Sequence, residues 1–276
     1  MRQVISISRR TDIPAFYTHW LIKVLEKREV RYVPPRGGLR IVSLDPKDIH
    51  SLVFWSKNYG PLIKNLNLLG LLSQYNLYFH FTITGLGGTF IEPKIPTPLN
   101  ALEQMENMVH LFGSDRINWR FDPILHWEKN NKLYSNLSEF KYLSSKITKM
   151  GIRSCTFSLA QRYKKIVPRF KRKKLTFINP SEQEEELMLS QLSVTASRLG
   201  LSLSWCAGKD VFHLGISKGH CIDGTKLSRL QRDNEIAPLA KDPTQRKQCG
   251  CTLSVDIGSY SQPCQGECLY CYARPI

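Results

Sequence analysis

Three cysteines near the C-terminal end have the residue type and the spacing for metal chemistry. Cys264, Cys268 and Cys271 form a CxxxCxxC motif, and Tyr270 stands directly before the last cysteine. Cysteine thiolates ligate Fe–S clusters, so three of them on a short loop can hold three irons of a [4Fe–4S] cluster. The fourth iron then lacks a protein ligand and can bind an exogenous one. A structural zinc site takes four ligands, so the loop fits zinc only if a fourth arrives from elsewhere.

Four further cysteines lie in glycine-containing loops after the last long predicted helix: Cys206, Cys221, Cys249 and Cys251. Four thiolates are enough for a second Fe–S cluster or for a structural zinc site. The alternative is a set of scattered free thiols, which the close pair at 249 and 251 argues against. The eighth cysteine, Cys155, lies in an apolar run and is predicted to be a buried core thiol.

Strand-like apolar runs alternate with segments of helical periodicity along the chain. The predicted strands are residues 4–8, 39–44, 52–56, 77–84, 117–121, 155–159, 201–205 and 253–257, and the predicted helices are residues 15–27, 61–72, 101–112, 137–150 and 180–199. Repeated strand–helix units imply a parallel sheet, either a barrel or an open doubly wound sheet. We predict an α/β protein with a TIM-like (β/α) barrel, full or partial. Residues 1–205 form the barrel body, and the Cys-rich residues 206–276 complete it and carry the Fe–S loop.

Polar residues gather just after the predicted strands, where the strands of a (β/α) barrel converge on an active-site mouth. The candidate catalytic residues are Asp12, Arg120 and Asp122, and the candidate cofactor-binding residues are Arg9, Arg10, Lys57 and Tyr270. Carboxylates at strand ends suit acid–base work, and arginines bind carboxylate or phosphate groups bidentately. The alternatives are that the aspartates cap the turns that follow them and that the arginines form ion pairs within the rim.

The charge balance favours a polyanionic partner. Lys and Arg number 39 against 23 Asp and Glu, which gives a net charge of +16. Nucleic acid, DNA or RNA, is the first class of partner that such a balance favours, and an anionic membrane surface is the second. The basic residues 162–174, with Tyr163 and Phe170 interleaved, resemble a loop that contacts a phosphate backbone. The alternative is a solvated, mobile basic loop.

Other classes of protein are excluded by what the sequence lacks. No apolar run approaches the roughly 18–20 residues of a membrane-spanning helix. The N-terminal residues contain no apolar core of a secretory signal, so we expect a cytoplasmic protein. The glycines at 85, 87 and 88 are not followed by the Lys-Ser/Thr pair of a phosphate-binding loop. His80, in an aromatic strand, is interpreted as a satisfied core residue rather than a metal ligand.

The cysteine loop resembles the signature of radical S-adenosylmethionine enzymes, and Cys-Leu-Tyr-Cys-Tyr-Ala-Arg-Pro at 268–275 is similar to the cluster loop of spore photoproduct lyase-like members. Those members act on cross-linked thymines in DNA. The resemblance implies a [4Fe–4S] cluster, S-adenosylmethionine on its open iron, a 5′-deoxyadenosyl radical and an electron donor such as flavodoxin or ferredoxin.

In most of these enzymes the loop follows the first strand, whereas here it follows the last predicted one. A circularly permuted barrel would reconcile the two orders, with residues 253–257 as the usual first strand and residues 4–8 beside it. The usual Gly-Gly-Glu stretch is absent after residues 4–8.

The whole chain also resembles a bacterial family known as a domain of unknown function. The resemblance rests on Ser-Arg-Arg-Thr-Asp-Ile-Pro-Ala-Phe at 8–16, Phe-Trp-Ser-Lys-Asn at 54–58, Trp-Arg-Phe-Asp-Pro-Ile at 119–124 and the terminal Cys-rich segment. From the cysteine loop and the basic charge we expect a radical S-adenosylmethionine-type Fe–S enzyme that acts on nucleic acid or a nucleotide. The alternative is a non-catalytic nucleic-acid-binding protein in which the cysteines bind structural zinc.

Overall fold

The computed structural model describes residues 2–33, 37–231 and 233–273, which form an α/β protein. Its strands are β1 Gln3–Ile7, β2 Glu29–Tyr32, β3 Arg40–Ser43, β4 Ile49–Ser56, β5 Leu77–Thr82, β6 Ile117–Ile124, β7 His126–Lys129, β8 Lys132–Ser135, β9 Ser154–Leu159, β10 Thr176–Ile178, β11 Ser202–Trp205, β12 Ile216–Lys218 and β13 Val255–Asp256. Its α-helices are α1 Ile13–Phe16, α2 Thr18–Glu26, α3 Gly60–Ile63, α4 Leu66–Leu72, α5 Pro98–Phe112, α6 Glu139–Lys149, α7 Val167–Arg172, α8 Glu182–Arg198 and α9 Gly224–Leu230. None of these helices is long and apolar enough to cross a membrane.

An eight-stranded parallel sheet organises the described chain. Its strand order is β12-β11-β9-β6-β5-β4-β1-β13, so the prediction of an α/β fold with a parallel sheet is confirmed. The late strand β13 pairs with β1, with Ile5 opposite Val255, which is where a permuted order would put it. Within the described residues no strand pairing joins β12 to β13, so the sheet stays open and does not form a full closed barrel. Both edge strands are short, with three and two residues, and offer few backbone groups for closure.

The two faces of the sheet differ in chemistry because side chains alternate along each strand. One face packs large apolar side chains against the helices, among them Ile5, Phe54, Phe79, Trp119 and Phe157. The opposite face carries polar side chains, among them Ser6, Ser51, His80, Asn118, Arg120 and Thr156. The segment after β11 covers this second face, where Cys221, Ile222 and Leu227 pack on Val53 and Tyr78. A buried polar face must satisfy its groups by hydrogen bonds, which makes it the face on which to look for a site.

One predicted strand has a different partner from the one expected. Residues 39–44 were predicted as part of the parallel series, but β3 pairs antiparallel with β2 in a separate two-stranded sheet. Its short span and its position near the turn-rich residues 34–38 suit a hairpin, and hairpin partners are close in sequence. Residues 34–36 lie outside the described part of the chain.

The second half of the basic segment 162–174 is helical, whereas both interpretations of the sequence treated the whole segment as a loop. Helix α7 occupies its second half, and Phe170 is buried against the three-stranded antiparallel sheet of β10, β7 and β8. Phe170 therefore packs in the core instead of presenting its ring to a nucleic acid base. Arg169 is also buried and donates from Nη1 to the carbonyl oxygen of Cys271 at 2.7 Å. Part of this basic segment thus supports the cysteine loop.

Candidate metal centre and active-site cavity

A cavity of about 1160 Å³ lies at the carboxyl ends of the parallel strands. Every residue selected from the sequence lines it: Arg9, Arg10, Asp12, Lys57, Arg120, Asp122, Cys206, Cys221, Cys249, Cys251, Cys264, Cys268, Tyr270 and Cys271. These residues come from the ends of β1, β4 and β6 and from the segments that follow β11, β12 and β13. The convergence follows from the parallel sheet, because the strand ends of such a sheet meet at one edge.

The loop at 264–271 gathers its three thiols on one wall of this cavity. The sulfur atoms of Cys264 and Cys268 lie 3.6 and 3.8 Å from the position that a Cβ on Gly266 would occupy. Ionisation of Cys264 or of Cys271 would raise the pKa of the Cys268 thiol, so the third cysteine is close as well. Burial raises the pKa of Cys264 to about 11 and raises that of Cys268 well above the ordinary value of a thiol. At neutral pH these thiols keep their protons until a bound cation displaces them.

Backbone contacts hold the loop in place. Leu269 packs in a small apolar cluster with Leu86 and Ile91, and its N–H donates to the carbonyl of Ile91 at 3.0 Å. Tyr17 donates its hydroxyl to the carbonyl of Pro263 at 2.8 Å. Arg274 and Pro275, the last residues of the motif, lie outside the described part of the chain.

The spacing of the thiols bears on which metal group they fit. Within residues 2–33, 37–231 and 233–273, no three His, Cys, Asp or Glu side chains are arranged to hold a single metal ion. A [4Fe–4S] cluster binds each thiolate through a different iron, so its ligands stand farther apart than those of one ion. The three thiols, with Cys268 buried and Cys264 and Cys271 half-buried on one cavity wall, fit the ligation of three irons of such a cluster.

Asp256, at the end of β13, holds the two arginines of the first strand end, and sequence reasoning did not select it. It accepts hydrogen bonds from the hydroxyls of Ser6 at 2.8 Å and Ser8 at 2.6 Å. Its carboxylate also lies 3.5 Å from Arg9 Nε and 3.4 Å from Arg10 Nη1. The ion pairing within the rim that was left open for these arginines is thus present. The only sequence signal for Asp256 was its position, as a carboxylate at the end of the strand before the cysteine loop.

Asp12 has the capping role that the sequence left open beside the catalytic one. Its carboxylate accepts from the backbone N–H of Ala15 at 3.1 Å at the start of α1, from the Ser56 hydroxyl at 2.6 Å and from the Lys57 N–H at 2.9 Å. Burial raises the pKa of Asp12 to about 6 despite these three donors. The residue ties the ends of β1 and β4 together beside the cysteine loop.

Lys57 and Tyr270 meet at a buried carboxylate that the sequence did not reveal. Glu92, only 1% exposed, accepts from Lys57 Nζ at 3.0 Å, from Thr84 Oγ1 at 2.8 Å and from the hydroxyl of Tyr270. Burial alone would lower the pKa of Lys57, but the Glu92 carboxylate and nearby acidic groups outweigh it and raise that pKa. Lys57 is therefore a fixed cation next to Cys268. Glu92 stands alone in a loop that contains Gly and Pro, so no motif or hydrophobic periodicity in the sequence pointed to it.

Arg120 connects the strand ends to the second set of cysteines. It is 7% exposed, forms an ion pair with Asp122 and lies over the ring of Trp55 at 5.1 Å. Ser158 donates to the other oxygen of the same carboxylate. From Nη1, Arg120 also donates to the sulfur of Cys221 at 2.8 Å.

The second set of cysteines forms a continuous row of thiols. The sulfur atoms of Cys206 and Cys221 are 3.7 Å apart, and hydrogen bonds link Cys221 to Cys251 and Cys251 to Cys249. Hydrogen bonding from the neighbouring thiols lowers the pKa of Cys221 and brings that of Cys249 to about 6. All eight cysteines are free of disulfides. Cys155 is buried on the opposite, helix-packed face of the sheet, as predicted for a core thiol.

His80 is also the satisfied core residue that the sequence predicted. It is 1% exposed, pairs through Nε2 with the carbonyl of Cys221 at 2.6 Å and through Nδ1 with the side chain of Asn118 at 3.2 Å. Its ring stacks on Trp55 at 4.2 Å.

The fold and this site define a class: an α/β protein with a cysteine-lined cavity at the carboxyl ends of an open parallel sheet. Residues 4–273 match the family described as a domain of unknown function (DUF1848), and the chain belongs to that family. The predicted resemblance to such a family is thereby confirmed, while the resemblance to radical S-adenosylmethionine enzymes stays a prediction. A comparison with curated proteins finds no match.

Proposed function

We propose that this protein is a radical S-adenosylmethionine-type Fe–S enzyme. The observation that carries the proposal is the convergence of the Cys264, Cys268 and Cys271 thiols on one wall of a large cavity at the strand ends. The three thiolates would bind three irons of a [4Fe–4S] cluster. S-adenosylmethionine, when bound, would supply a 5′-deoxyadenosyl radical after one-electron reduction, with flavodoxin or ferredoxin as the proposed donor.

The topology supports a partial, circularly permuted (β/α) barrel as the finer description of the fold. The strand before the cysteine loop, β13, lies at the sheet edge and pairs in parallel with β1. In the permuted order β13 therefore takes the place of the usual first strand, and the loop emerges beside the first strand end of the chain. The polar face of the sheet and its covering segment would form the inside of the barrel.

The protein's own cations suit the binding of anionic groups in the cavity. Asp256 fixes the guanidinium groups of Arg9 and Arg10 at the rim, and Lys57 is held as a cation by Glu92. A planar guanidinium binds a carboxylate or a phosphate through two parallel hydrogen bonds. We assign these residues to orienting the carboxylate of the cofactor and the phosphate of a substrate.

A nucleic acid or nucleotide is the proposed substrate. Besides the fixed arginines, the cavity is lined by Arg40, Arg162, Lys209 and Arg246 together with Tyr163 and Tyr260. Cations with aromatic rings between them bind phosphates and stack on bases. The overall charge of +16 favours the same class of ligand.

Anaerobic reconstitution with iron and sulfide tests the proposal. We expect a brown protein that absorbs at about 400 nm because of sulfur-to-iron charge transfer, and that releases 5′-deoxyadenosine from S-adenosylmethionine after reduction. Cys268→Ala should abolish the release, whereas Cys155→Ala, a thiol loss in the core, should keep it. Release that survives in Cys268→Ala contradicts the proposal. A colourless protein that contains zinc and binds DNA or RNA in a salt-sensitive way would instead support the non-catalytic alternative.

A further inference from the structure

We infer that Cys206, Cys221, Cys249 and Cys251 bind a second metal centre through four thiolates, separate from the loop at 264–271. The inference does not depend on radical chemistry, because it concerns a different set of sulfurs. The ligand chemistry is that of a thiolate-preferring metal, either zinc or an Fe–S cluster.

Three separate segments of the chain bring these four thiols together. Cys206 follows β11, Cys221 follows β12, and the remaining two lie before β13. The sulfurs of Cys206 and Cys221 are 3.7 Å apart, and Cys251 bridges Cys221 to Cys249. Cys221, Cys249 and Cys251 are each less than a tenth exposed. Cys206 is half-buried beside them.

Hydrogen-bond donors point at the sulfurs, which distinguishes this row from ordinary apolar packing. Arg120 Nη1 donates to Cys221, the N–H of Ile222 lies 3.4 Å from Cys251 Sγ, and the N–H of Cys251 lies 3.5 Å from Cys249 Sγ. A neutral thiol is a weak acceptor that packs like a small apolar group. A metal with four thiolate ligands carries net negative charge on its sulfurs, and surrounding donors and cations of this kind stabilise it.

The backbone around the row is already fixed by hydrogen bonds between the three segments. The N–H of Gly219 donates to Trp205 at 2.8 Å, that of Gly250 to Gly219 at 3.3 Å, and that of Thr252 to Ile222 at 2.9 Å. As described, the sulfurs form an open row, since no three ligand-type side chains in the described ranges enclose one ion. We expect rotation of the cysteine side chains to close the row around a metal, because backbone hydrogen bonds already hold the three segments together.

The position of the second metal centre indicates a structural role. In the described part of residues 219–254, helix α9 is the one element of regular structure, yet this segment covers the polar face of the sheet and forms a wall of the cavity. A metal that clamps three segments contributes folding free energy directly. We therefore expect the second centre to hold the cavity closed on that side.

The full-length protein with Cys264, Cys268 and Cys271 all replaced by alanine tests the inference. After purification, this triple variant is supplied either with zinc or, anaerobically, with iron and sulfide. It should then bind about one zinc ion or one Fe–S cluster per chain. Zinc and iron analysis with acid-labile sulfide identifies which of the two is bound. Additional replacement of Cys206, Cys221, Cys249 and Cys251 should remove that metal. A triple variant that binds neither overturns the inference.

A second measurement covers a triple variant that does not fold. In the metal-loaded wild-type protein, alkylation followed by mass spectrometry should find Cys249 and Cys251 protected, and a chelator should expose them. Unchanged alkylation of both thiols before and after metal removal overturns the inference. Failure of the radical proposal looks different, because it appears as absent 5′-deoxyadenosine release while metal stays on the second set.

Discussion

The two groups of cysteines lie in one cavity but are built in opposite ways. The loop at 264–271 takes its three thiols from eight consecutive residues, and burial raises the pKa values of Cys264 and Cys268. The second set comes from three segments, touches Arg120, and includes two thiols, Cys221 and Cys249, whose pKa values are lowered by hydrogen bonding from their neighbours. The spacing of the three cysteines in the loop is thus set locally, and the fold has only to place the loop at the strand ends. The distributed set depends on long-range packing for its existence.

The largest effect that would sharpen this contrast is expected from Arg120→Met. The change leaves the carboxylate of Asp122 and the sulfur of Cys221 without their buried cation. Loss of one partner of a buried ion pair costs about 3–5 kcal/mol, so urea unfolding should show a drop of that order. Arg40→Met, at an exposed position of the same cavity, is the matched control and should change stability by about 0.5 kcal/mol or less. Equal losses in the two variants would show that Arg120 does not support the second set.

The pH dependence of stability should reveal His80, which lies beneath the second set. Burial lowers the pKa of His80 from 6.5 to about 3, so the unfolded chain takes up this proton at a higher pH than the folded protein does. Stability should therefore fall as pH is lowered from about 6.5 towards 3, with this residue contributing a slope of up to about 1.4 kcal/mol per pH unit. Unfolding measured at several pH values should give a flatter profile for His80→Gln. An unchanged slope in that variant would contradict the assignment.

Asp12, beside the cysteine loop, should act on stability in the opposite direction. Its pKa is raised from 3.8 to about 6 by burial, so the folded protein holds this proton more tightly than the unfolded chain. Its contribution is fully present below about 3.8 and is lost as pH rises through about 6. Asp12→Asn should remove that decline between the two pH values, measured against the wild-type unfolding curve. A decline that persists in the variant would argue against this shift.

Glu92→Gln tests the buried network of the first group. The substitution keeps the size of the side chain but removes the charge that pairs with Lys57, and the hydroxyl of Tyr270 loses a carboxylate acceptor. A loss of about 1–3 kcal/mol is expected in urea unfolding, as for a buried polar group left poorly partnered. The control is Glu103→Gln on the exposed side of α5, which should be nearly neutral. A neutral Glu92→Gln would mean that this network does not hold the cysteine loop.

The smallest effect is expected from Tyr17→Phe. The hydroxyl of Tyr17 donates to the carbonyl of Pro263 just before the cysteine loop, and one such hydrogen bond is worth about 1 kcal/mol. Faster amide exchange near residues 263–271, with no change around Cys249 and Cys251, would show that the two groups are stabilised separately. Tyr142→Phe, at an exposed position on α6, should leave exchange in both regions unchanged.

Most of the parallel sheet could be predicted from the sequence because its strands are short apolar runs between helices of regular periodicity. The predicted helix at 101–112 corresponds to α5, Pro98–Phe112, and the predicted strand at 117–121 lies within β6. Residues 39–44 were harder to place, since an apolar run of that length does not specify which partner it pairs with. Phe170 was misjudged because the surrounding basic residues hid the apolar side of α7.

What the sequence by itself determined is the local chemistry: three thiols at fixed covalent spacing, polar residues directly after strands, and a basic surface that favours polyanions. What only the tertiary structure decided is which distant groups meet. Asp256 pairs with Arg9 and Arg10, and Glu92 pairs with Lys57. Cys206 lies beside Cys221. These contacts form because the parallel sheet and the segment covering it bring distant residues together. Spacing along a chain fixes neighbours within a turn, whereas contacts across tens or hundreds of residues exist only once the core has formed.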